Sequence, residues 1–129
     1  MNPIQLFSLA SRQAEWLSIR QEVVAGNIAN ANTPKFRAKD ITSFDAVLDT
    51  TRSTAMARTH PGHIAASTGV DNIEVQQAAL NSEIGVQESG NTVSLAEELS
   101  KTGEIKRQYQ LNASLVSSFH RMMLQTVKR

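Results

Sequence analysis

Two histidines, His60 and His63, stand three positions apart, a spacing at which imidazoles on one helical turn can share a metal ion with a third ligand. Pro61 and Gly62 lie between them and interrupt any helix that would bring both rings to one face, so a structured turn explains the pair better. His120 falls in a helical pattern and reads as a solvated or packed polar residue. Glu97 and Glu98, with Glu104 beyond them, have the side chains of an acid and a base. Adjacent side chains on a helix, however, point about 100° apart, and helix capping and solubility account for these carboxylates. No phosphate-binding glycine loop, nucleophile elbow or zinc-protease motif occurs, and the absence of cysteine excludes disulfides and thiol chemistry. The sequence predicts no catalytic residue, no cofactor and no metal.

The unusual stretch is residues 25–34, where small side chains alternate with Asn27, Asn30 and Asn32 as a helical pattern runs into Thr33 and Pro34. Small residues let another backbone approach closely, and asparagine amides bond to chain ends and turns. This is an asparagine-rich helix end or a packing surface for other subunits, and the residues alone do not choose between them.

Over residues 3–31 the apolar or small positions Phe7, Ala10, Ala14, Leu17, Val24, Ile28 and Ala31 alternate in steps of three and four around Gln21. Asn2 and Pro3 suit an N-cap and first helical position, and Thr33-Pro34 is expected to end the run. Leu6, Leu9, Trp16, Ile19 and Val23 widen the stripe, which implies more than one neighbour. The C-terminal segment repeats the pattern with Leu95, Leu99, Thr102, Ile105, Tyr109, Asn112, Val116, Phe119 and Met123, and with a second stripe of Leu111, Leu115 and Met122. Ser94 and Glu97 form a capping box at its start, after a turn at Gly90 and Asn91.

Each helix would be roughly 40 to 50 Å long, so such rods need partners along their length and are expected to be only partly ordered before assembly. The middle, residues 35–90, shows no sustained period beyond a short helix at 43–48 and a short strand or arm at Ile73 and Val75. The expected fold is mainly α: long N- and C-terminal helices packed as a coiled-coil-like pair, joined by a largely irregular segment with little β. The expected divisions are residues 1–34, 35–91 and 92–129 of one structural unit.

A chain of 129 residues is the size of one domain, and its formal charge of +1, without like-charge runs, names no nucleic acid or anionic lipid as partner. The first charged residue is Arg12, so the start lacks the basic region of a secretory signal, and no apolar run is long enough to insert in a membrane.

Residues Asn27, Ile28, Ala29, Asn30, Ala31, Asn32, Thr33 and Pro34 match at every position the Asn-Ile-Ala-Asn-Ala-Asn-Thr-Pro motif that closes the first helix of flagellar axial proteins. The chain resembles that family of rod, hook and hook-associated proteins. Phe36, Arg37, Ala38, Lys39 and Asp40 are similar to the continuation found in its proximal-rod members, with Lys35 standing where those commonly have glycine. Residues 58–64, 90–93 and 107–110 extend the likeness to the proximal-rod type over nearly the whole chain.

The resemblance implies a structural subunit of a helical tube around an export channel, crossing the periplasm in the basal body and passing torque to the hook. Its implied partners are copies of itself, other rod proteins, the junction protein of the membrane ring, and the flagellar type III export apparatus, which exports such chains without a cleaved signal. Leu17, Val24, Leu99, Tyr109, Val116, Phe119 and Met123 are the expected helix-packing positions, with Ile28 beside them. A helical export chaperone or adaptor would share the size and amphipathicity but would not explain the Asn-Thr-Pro motif.

Overall fold

Helix α1 occupies Pro3–Ala29 and helix α3 occupies Leu95–Val127, and a computed structural model shows them packed against each other over much of their length. The structure describes residues 3–51, 60, 73–80 and 85–127. Asn2, and Pro61, Gly62 and His63 of the histidine turn, lie outside the described residues; His60 is exposed.

The two helices run antiparallel. Glu98 near the start of α3 meets Asn27 near the end of α1, Asn112 meets Ala10, and the rings of Phe119 and Phe7 meet edge to face with centroids 6.5 Å apart. The residues of α3 buried on this seam are Glu98, Ile105 and Asn112, seven apart, as in a coiled coil. The inward row thus passes through Glu98 where the apolar pattern runs through Leu99, and Leu95, Leu99 and Tyr109 face outward, each at least half exposed. Apolar periodicity cannot anticipate an inward carboxylate that meets a partner on another helix, here Asn27 of α1.

Between the helices, β1 at Lys39–Ile41 pairs antiparallel with β2 at Val75–Gln77, Asp40 facing Gln76. The ladder extends through Ala78 N–H to the Ala38 carbonyl and Thr42 N–H to the Glu74 carbonyl. Helix α2, Phe44–Thr51, starts where Ser43 accepts from the amides of Val47 and Ala46. Its Phe44 ring tilts against Trp16 at 5.8 Å, and Trp16 Nε1 donates to the Thr42 carbonyl at 2.9 Å. A small core gathers Trp16, Leu17 and Val24 of α1, Ile41 of β1, Val47 of α2 and Ile105 of α3. Burial of these side chains from every helix is the main force holding the elements together.

Helix α1 stops at Ala29, five residues before Pro34. Proline is not what ends it. The Asn30 side chain donates to the Gly26 carbonyl at 2.8 Å, competing with the backbone for the last turn, and residues 30–35 continue as a series of tight turns.

Candidate functional site at the asparagine-rich junction

The end of α1, the strand β1 and the start of α3 converge on three buried polar residues. Asn27, on the last turn of α1, binds both backbone groups of Lys39: its Nδ2 donates to the carbonyl at 2.7 Å and its Oδ1 accepts from the amide at 3.0 Å. A side-chain amide thereby pairs with the outer edge of β1 as a further strand would. The same Nδ2 donates to Glu98 Oε2 at 3.0 Å, tying α1 to α3.

Glu98 is 2% exposed, a position that a carboxylate tolerates only when paired. Its Oε1 accepts from Lys101 Nζ at 3.1 Å, and that ammonium also stands 3.4 Å from Asp40 Oδ2 and 3.8 Å from Glu97 Oε1. Burial acts most strongly on Lys101 and lowers its pKa, but the hydrogen bond and charge of Glu98, with Asp40 and Glu97, together outweigh it and leave the pKa raised. Asp40 Oδ1 accepts from the Ile41 amide and stands 3.6 Å from Arg20 Nε, too long for a hydrogen bond, so that nitrogen is compensated by charge alone. The Arg20 guanidinium lies over the Trp16 ring, 5.3 Å from its centroid.

Asn91 is wholly buried just before α3. Its Nδ2 donates to the carbonyls of Thr33 at 2.8 Å, Asn30 at 2.9 Å and Ala31 at 3.0 Å, while its Oδ1 accepts from the Val93 amide at 2.7 Å. Gly90, at φ 78°, packs beside Lys35, which itself holds φ 60°, the left-handed region that favours glycine. A third buried asparagine, Asn112, donates to the Ala10 carbonyl and to Gln13 Oε1, fixing the offset of α3 along α1.

Of the motif residues, Asn27 is buried, Ile28, Asn30, Ala31 and Phe36 are partly buried, and Ala29, Asn32, Thr33 and Pro34 are exposed. Leu17 and Val24 are buried within the chain, Val116, Phe119 and Met123 are partly buried, and Leu99 and Tyr109 are exposed. The structure therefore gathers the first half of the motif into the junction and leaves its second half at the surface. Sequence reading missed Glu98, Lys101 and Asp40 as a linked set, and gave Asn91 only a turn. Nothing in the local sequence signals contacts spanning some 60 to 70 positions.

The arrangement fixes geometry and offers no reacting group to a substrate. Among the described residues there is no cluster of ligands suited to a metal ion. The sequence model of the family described as flagella basal body rod protein matches residues 15–37, the segment from the core of α1 through the asparagine turn. The flagellar basal body rod protein FlgB of Agrobacterium fabrum is 69% identical over the whole chain and 97% of its own length. The FlgB proteins of Escherichia coli K12 and Proteus mirabilis are 36% and 32% identical, over 76% and 91% of this chain. The class is thus that of flagellar basal body rod proteins. Within it, this chain belongs to the FlgB family, whose members are structural proteins and not enzymes.

Proposed function

We propose that the chain is a subunit of the proximal rod, where copies and other rod proteins pack through α1 and α3 into a helical tube that encloses the export channel and carries motor torque. The carrying observation is a pair of apolar stripes on α3, Leu95, Leu99, Tyr109, Leu124 and Val127 on one flank of the α1 seam and Leu111, Leu115 and Met122 on the other. All of them are half exposed or more, along a helix of 33 residues. Apolar surface of that extent marks an interface with other proteins. Beside it, Ala10, Ala14 and Ala113 floor a groove of about 180 Å³ between the helices, where small side chains leave room for a neighbour's larger one.

Residues 1–34 and 92–129 form the axial packing unit on this reading, and residues 35–91 bridge them. Packing at interior density gives the assembly its stiffness, because close-packed side chains transmit strain. The Asn-Thr-Pro surface, the junction protein of the membrane ring and the export apparatus complete the contacts, and the subunit reaches the basal body without a cleaved signal. Among the described residues no helix is long and apolar enough to cross a membrane.

The test is Leu111→Asp or Leu115→Asp. Each side chain is exposed in the single chain, so the variants fold, but a charge buried at an interface without a partner is costly and incorporation into basal bodies is lost. Normal motility in both variants would overturn the proposal.

A further inference from the structure

The carbonyl oxygens of Asn30, Ala31 and Thr33 point at one spot, and Asn91 Nδ2 fills it. Three carbonyl dipoles aimed at one point repel each other unless a donor stands between them, and the complete burial of Asn91 leaves solvent no access to substitute. Inside the turn the support is local: single contacts of the tight i to i+3 kind run from the amides of Ala31, Thr33 and Phe36 to Ile28, Asn30 and Thr33, and the Thr33 hydroxyl donates to Asn30 Oδ1 at 3.1 Å in an exposed bond open to competition from water. Lys35 adds strain through its left-handed φ, and a non-glycine residue keeps such a conformation only where its surroundings hold it. Here the holding group is its own amide, which donates to the Ser89 carbonyl at 2.9 Å.

We infer that residues 89–93 are a template for the turn, so that residues 30–36 take their packing conformation only when Asn91 has docked. Helices are commonly closed by the residues that follow them directly. This one is closed from 58 to 61 positions away. The Thr92 amide donates to the Phe36 carbonyl and the Ala38 amide to Thr92 Oγ1, joining both strands of the junction into one cooperative unit. The exposed half of the motif is therefore displayed only by a chain whose two halves have already met. Asn91 is a positioning residue for that surface, and the coupling belongs to the single chain whether or not it assembles.

Amide hydrogen exchange on the full chain tests this. Asn91→Asp keeps the shape and the acceptor for Val93 while removing the donors. The amides of Thr33, Lys35 and Phe36 are expected to exchange at least ~10-fold faster in it, with those of residues 16–24 unchanged. Wild-type rates at the three amides overturn the inference. Should the variant unfold outright, the wild type answers the same question under low urea: the amides of Thr33, Phe36 and Thr92 must share one opening equilibrium and one denaturant dependence, and separate openings for the turn and for Thr92 overturn it.

Discussion

Asn27 and Glu98, 71 positions apart, are joined by a 3.0 Å hydrogen bond between two side chains that are both almost completely buried. Truncating Asn27 to alanine strands a buried carboxylate oxygen and both backbone groups of Lys39. The expected cost is about 2–4 kcal/mol in urea-induced unfolding, since unpaired buried groups carry their full desolvation penalty. A double-mutant cycle with Glu98→Ala should give a coupling above ~0.5 kcal/mol. Simple additivity would mean that the bond does not hold the helices together.

Lys101 supplies the pH dependence. Its pKa is raised in the folded chain, so the stability it contributes is fully present below the ordinary value of 10.5 and is lost as pH rises through the raised one. Thermal unfolding should show an alkaline fall in stability beginning above about pH 10.5 that is shallower in the Lys101→Met/Glu98→Gln double variant, where no ammonium titrates and no buried carboxylate is left unpaired. Identical alkaline limbs in the two proteins would remove Lys101 from the account.

Lys35→Gly is expected to stabilise the chain. A left-handed backbone costs an L residue about 1–2 kcal/mol, and the greater freedom of glycine in the unfolded state takes back about 0.4–1 kcal/mol of the relief. A net gain of roughly 0.5 kcal/mol should appear as a higher midpoint in urea, whereas Gly90→Ala, at φ 78° against Lys35, should lower it.

The long helices were legible because Leu17, Val24, Ile105 and Val116 repeat with the period of a helix, and Ser94 marked the start of α3 by the chemistry of its hydroxyl. The end of α1 was not. Pro34 is the strongest breaker in the sequence, yet the helix closes earlier, where Asn30 turns onto Gly26 and Asn91 arrives from the other half of the chain. Nor could β1 be read, since Lys-Asp-Ile shows too short an alternation and its partner strand begins 34 residues beyond its end. The junction failed to show for the same reason: Glu98 is inward because Asn27 and Lys101 each bind one of its oxygens, with Asp40 on the far side of Lys101, and side-chain pattern along one helix carries no record of the other two elements.

The most direct measurement is quantitative mass spectrometry of purified hook–basal bodies carrying the wild-type chain or Leu115→Asp. A rod subunit appears in several copies at a fixed ratio to the other rod components, and the variant chain is missing. Particles that are complete without the wild-type chain would contradict the account.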